Sequence, residues 1–80
     1  KKENMINIFP NPSKGEIQIN SFNNIKRVNV TDVLGRTIID NKEIILHEGN
    51  KALCNIHEKG LFFVIVETET GLTTEKVVIE

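Results

Sequence analysis

The chain contains no tryptophan, no tyrosine and only four phenylalanines. Sugar-binding sandwich domains usually display aromatic platforms. Several of these four rings are needed for the core, so a carbohydrate or adhesion module is the weaker reading. A single cysteine, Cys54, excludes an internal disulfide framework. Small secreted eukaryotic domains usually need such staples, so the chain is intracellular or comes from an exporting organism that does without them. An excess of basic charge is also lacking. A formal charge of −1 and a pI of about 6.1 argue against binding nucleic acid, which requires a basic surface to neutralise phosphates. Long apolar runs are missing: the longest, Leu61 to Val66, falls far short of the roughly 20 residues of a membrane-spanning helix. No signal peptide opens the chain, because Lys1-Lys2-Glu3-Asn4 leads into a strand-like stretch rather than an apolar segment. The expectation is a fragment of a larger precursor whose export signal lies upstream.

What is present is a period of two. Ile6 and Ile8 flank Asn7, Ile17 and Ile19 alternate with Glu16, Gln18 and Asn20, and Val28 and Val30 alternate with Arg27, Asn29 and Thr31. Each run places one aliphatic face inward and one polar face outward, as half-buried antiparallel strands do. Arg36–Asp40, Lys51–Ile56 and Thr73–Ile79 read as further strands. Leu61–Val66, apolar on both faces, reads as the central strand covered on both sides. Ile44-Ile45-Leu46 is either a short strand or part of an irregular crossover. Turn-forming residues punctuate these runs at roughly 8–12-residue spacing. The chain, 1–80, is therefore expected to be one all-β unit, an immunoglobulin-like antiparallel sandwich of about seven short strands. Its core is expected from Ile6, Ile8, Ile17, Ile19, Val28, Val30, Leu34, Ile38, Leu53, Phe63, Ile65, Val77 and Ile79.

Candidate chemistry is sparse. Cys54 and His57 are three residues apart with His47 nearby, but positions i and i+3 of a strand face opposite sides. Nucleophilic catalysis would also need an orienting group and an oxyanion hole. A buried thiol followed by a turn histidine is the expected arrangement, and the three residues lack the paired spacing of a zinc module. The carboxylates stand singly beside lysines (Glu43 by Lys42, Glu58 by Lys59, Glu75 by Lys76), a solvated sheet surface rather than an acid–base pair. Asn29-Val30-Thr31 matches a glycosylation sequon, a pattern frequent by chance. No catalytic residue, metal or cofactor is expected. The segment Pro10-Asn11-Pro12-Ser13-Lys14-Gly15 reads as a rigid turn: the prolines fix φ, Asn11 can bond its own backbone and Gly15 can adopt φ > 0.

Four blocks in order carry a resemblance. Phe9-Pro10-Asn11-Pro12-Ser13-Lys14-Gly15, Thr31-Asp32-Val33-Leu34-Gly35-Arg36, Lys59-Gly60-Leu61-Phe62-Phe63-Val64, and Thr70-Gly71 with Lys76-Val77-Val78-Ile79 together resemble the type A carboxy-terminal sorting domain of the Bacteroidota type IX secretion system. The turn residues of that pattern are Pro10, Asn11, Pro12, Gly15, Asp32, Gly35, Gly60 and Gly71. The resemblance implies a secretion signal at the end of an upstream cargo, which crosses the periplasm in transit to the cell surface or the medium. It implies recognition by the outer-membrane translocon and its shuttle barrel, and in many members removal by a sortase-like surface peptidase. The chain ends in Glu80, where the family often has Lys or Arg. A terminal edge strand offers unpaired backbone groups to which a partner can add a strand. Lys76, Val77, Val78, Ile79 and Glu80 are the candidate recognition residues, with Val77 and Ile79 anchored in the core and Lys76 and Val78 facing the translocon. Edge strands pairing between copies would give a dimer.

Overall fold

The computed structural model describes residues 6–41 and 44–80. The Lys1–Asn4 opening and the Lys42–Glu43 neighbours therefore lie outside the described residues. Eight strands are found among those residues: β1 (Ile6–Phe9), β2 (Glu16–Ser21), β3 (Ile25–Asp32), β4 (Thr37–Ile39), β5 (Ile45–His47), β6 (Lys51–Asn55), β7 (Gly60–Thr68) and β8 (Gly71–Ile79). They form two four-stranded sheets of order β1-β2-β6-β5 and β4-β3-β7-β8, with antiparallel pairing between all neighbouring strands. Ile45–His47 settles the ambiguous middle segment as a short edge strand paired to β6. The expected all-β sandwich without a disulfide is the observed fold.

The two inner faces meet in an aliphatic core. The first sheet contributes Ile17, Ile19, Ala52 and Cys54; the second contributes Val28, Val30, Ile39, Phe62, Val64, Val66, Val77 and Ile79. Size alternates across β2 and β6: Ile17 lies opposite Cys54 and Ile19 opposite Ala52, so small residues leave room beside large ones. Ile6, Ile8 and Ile38 pack on the margin as partly buried residues.

Four expected core residues are corrected. On β7 the inward residues are Phe62, Val64 and Val66, whereas Phe63 and Ile65 stand half-buried on the outer face. Residues directly opposite in a ladder share a face, and Val64 and Val66 pair with the inward Val30 and Val28. The outer face of this strand is thus half-exposed rather than covered. On β6, Ala52 and Cys54 point inward, followed by the buried Ile56, and Leu53 lies half-buried on the outer face with Lys51 and Asn55. Leu34 is 77% exposed, because it sits at the tip of the β3–β4 turn rather than in a strand.

Candidate functional site: the last strand and the turns that frame it

β8 alternates cleanly only in its second half. Val77 and Ile79 are buried, while Lys76, Val78 and Glu80 are exposed. The strand lies at the edge of its sheet and pairs with β7 from Gly60↔Ile79 to Thr68↔Gly71 without a bulge. The turn at Glu69-Thr70 is held by the Thr68 hydroxyl, which accepts from the Thr70 N–H at 3.2 Å. Gly60 opens β7 and Gly71 opens β8, both at φ 132°.

The Pro10–Gly15 turn does more than join β1 to β2. The Asn11 amide donates to the Lys76 carbonyl at 3.0 Å and accepts from the Val78 N–H at 3.1 Å. Two residues later the Ser13 N–H donates to the Val78 carbonyl at 2.9 Å, and the Ser13 carbonyl accepts from the Glu80 N–H at 2.8 Å. Ser13 therefore makes a parallel bridge to Ile79. The side-chain amide of Asn11 presents one donor and one acceptor, which is what a neighbouring strand's peptide groups would present. The terminal edge strand was expected to offer unpaired backbone groups to an added strand. Instead, the terminal part of that edge, from the Lys76 carbonyl to the Glu80 N–H, is already occupied. Only backbone hydrogen bonding is blocked there; the Lys76 and Val78 side chains remain outside.

Local chemistry fixes this loop. The Ser13 hydroxyl donates to the Glu16 carbonyl at 2.7 Å and accepts from the Gly15 N–H at 2.9 Å. The Gly15 carbonyl accepts from the Ile56 N–H at 2.8 Å, tying the loop to the end of β6. Gly15 has φ 140°, and a Cβ there would lie 3.0 Å from the Ile56 carbonyl oxygen, so only glycine fits. Ser13 was not singled out in the sequence. Its contacts join positions more than sixty residues apart, and no local pattern announces such a pairing.

The second motif turn is organised by Asp32. One carboxylate oxygen accepts from the Leu34 and Arg36 N–H groups, both at 2.9 Å, and the other from Arg36 Nε at 2.7 Å. Desolvation pushes this carboxyl up. The hydrogen bonds from Arg36 and Leu34 and the positive charge of Arg36 outweigh it, so the group sits below its ordinary value. Gly35 at φ 87° completes the turn, and its N–H bonds the Asp32 carbonyl at 3.0 Å. The role of Asp32 and Gly35 visible here is to shape a turn.

Cys54 faces the core, whereas His57 is exposed in the loop after β6, so the two are not brought together. An open cleft of about 370 Å³ lined by Ile38, Ile39, Asn55, His57 and Glu58 offers an exposed imidazole and carboxylate but no nucleophile. No group of three or more His, Cys, Asp or Glu able to hold a metal is found among the described residues.

The structure defines a sandwich whose last strand is held at a sheet edge by turns from distant parts of the chain. Its fold is similar to the crystal structure of CopC from Methylosinus trichosporium OB3b, with a TM-score of 0.51 at 10% identity, covering 85% of this chain and 76% of that one. No curated protein matches the chain. The family model for the secretion system C-terminal sorting domain matches residues 7–80, and the chain belongs to that family, whose members are type IX sorting signals. This is a family of sorting signals rather than of enzymes.

Proposed function

We propose that residues 1–80 act as one sorting unit that directs an attached cargo across the periplasm and through the type IX outer-membrane translocon, with a shuttle barrel as receiver. The observation that carries this reading is the family match over residues 7–80, which spans all four motif blocks. A sortase-like peptidase then removes the unit at the cell surface. Lys76, Val78 and Glu80 supply the side chains that the machinery reads, and Val77 and Ile79 hold that row in place from the core side. In support, Val77 is fully buried while Lys76, Val78 and Glu80 are exposed.

The test fuses the chain to a reporter that carries a periplasmic signal peptide, in a host competent for type IX secretion. Export to the surface or medium is expected, with loss of about 9 kDa from the reporter when the unit is removed. Retention of the reporter in the periplasm refutes the sorting role. The double variant Lys76→Glu/Val78→Asp is expected to fold, since both side chains are exposed, and to block export. Unchanged export by the folded double variant refutes the assignment of the terminal residues.

A further inference from the structure

The outer edge of β8 has two halves. In an antiparallel ladder, alternate residues direct both backbone groups to the same side. The Val78 N–H and carbonyl point away from β7, because they bond Asn11 and Ser13. The unbroken β7–β8 register then points those of Lys76, Thr74 and Leu72 the same way. The Lys76 carbonyl is taken by Asn11. The Lys76 N–H and both backbone groups of Thr74 and Leu72 have no partner among the described residues. The other edge strands are short: β1 has four residues, and β4 and β5 have three each. Among the described residues, Leu72–Lys76 is therefore the longest continuous open edge, bounded on one side by the β7–β8 turn and on the other by the Asn11 amide.

The surroundings specify an occupant. Leu72, 66% exposed, lies beside Glu67 on the outer face, and the half-buried Ile65 lies beside Thr74. Lys76 stands on that same outer face, and the exposed Glu75 on the other. A strand laid along this edge would set an apolar side chain against Leu72, a carboxylate against Lys76 and a cation against Glu75.

We propose that Leu72–Lys76 is a docking edge to which an extended segment of a partner protein adds as a fifth strand, and that the Asn11–Ser13 cap fixes where that strand stops. The proposal rests on the sorting role, with the partner belonging to the export machinery. It places backbone recognition upstream of the terminal residues, whose own edge is closed.

Thr74→Pro tests it. Proline is tolerated on an edge strand where its missing N–H would face solvent, so no β7–β8 bond is lost. An added strand, however, loses a donor and meets the ring. Leu72→Lys provides a second variant at an exposed position, since an edge lysine discourages strand addition. In the reporter assay, both variants are expected to lower export about tenfold or more, and Thr74→Pro is expected to lose more than Thr74→Ala, which keeps the N–H. Thermal melts establish that each variant is folded; if Thr74→Pro does not fold, Leu72→Lys decides. Folded variants that export as the parent does overturn the docking edge and leave the sorting role standing. Failure of the parent fusion to export overturns both. Analytical ultracentrifugation of the unfused chain is expected to show a monomer; a dimer abolished by Thr74→Pro would assign the edge to a second copy and overturn the partner assignment.

Discussion

Replacing Asn11 with alanine isolates the contribution of the cap. The substitution removes two hydrogen bonds, to the Lys76 carbonyl at 3.0 Å and from the Val78 N–H at 3.1 Å, both at exposed atoms. A typical intramolecular hydrogen bond contributes about 0.5–1.5 kcal/mol net. Water can reach both freed backbone groups, so no buried unsatisfied polar atom is created and the lower part of that range applies. The expected loss is about 1–2 kcal/mol. Against a total of roughly 4–12 kcal/mol for 80 residues this is substantial, and it corresponds to a melting point lower by about 4–16 °C. Amide hydrogen exchange localises the effect: Val78 should exchange faster than its neighbours Val77 and Ile79 once the cap is weakened. Asn11→Asp separates donor from acceptor. It keeps the acceptor for Val78 but turns a carboxylate toward the Lys76 carbonyl, so its loss at neutral pH should match or exceed that of alanine. The difference should shrink below about pH 4, where the carboxylic acid can donate. An unchanged melting point for Asn11→Ala, with Val78 exchanging as in the parent, would refute the cap.

Other substitutions check the packing and the second turn. Val64→Ala removes two methyl groups from a fully buried site and should cost about 2–3 kcal/mol, read as a lower urea midpoint at unchanged slope. Leu34→Ser, at an exposed turn tip, should change stability by less than about 0.5 kcal/mol, and a large loss would return Leu34 to the core. Gly15→Ala should lower the melting point clearly, because φ 140° and the 3.0 Å approach to the Ile56 carbonyl oppose a Cβ together. Asp32 has a folded pKa below its unfolded one, so its ionised form stabilises the fold at pH values above the unfolded pKa, near 4 for aspartate. That stability is lost as pH falls through the folded value. Asp32→Asn should therefore melt lower than the parent at pH 7, and the gap should close on acidification below about pH 4.

The fold was legible wherever alternation was clean. Ile17 and Ile19, Val28 and Val30, and Val77 and Ile79 each have a polar or differently exposed neighbour that fixes their face, and all six are buried. Leu61–Val66 offered no such contrast within the run, so its phase was ambiguous. Glu67 carried the missing signal: it shares a face with Phe63 and Ile65, and a carboxylate belongs outside. Lys51 and Asn55 gave the same information for Leu53. Leu34 misled because an aliphatic residue after a strand resembles its continuation, whereas the Asp32 side chain, bonded to the Leu34 and Arg36 N–H groups, stops the strand there. At the candidate site, the turn residues were legible as turns because glycine, proline and asparagine act locally. The pairing of the first turn with the last strand was not legible, because it is set by how two sheets close on each other.

That pairing bears on what a sorting signal of this kind can be. The terminal strand owes one edge to β7 and part of the other to Asn11 and Ser13, so its geometry depends on residues at both ends of the chain. A peptide of residues 71–80 alone would keep Lys76, Val78 and Glu80 but lose the burial of Val77 and Ile79 that puts them on one side. It would also expose backbone groups that the folded unit keeps closed. If the machinery reads the side-chain row, such a peptide should compete weakly, since the cost of ordering an extended strand falls on binding. If it adds a strand at Leu72–Lys76, the cap matters in a different way: it leaves five residues of edge open and no more. Closing the terminal edge also withholds those backbone groups from pairing with unintended strands. The first motif block and the last are thus two parts of one folded device, in which the turn around Asn11 closes part of the open edge of Gly71–Ile79.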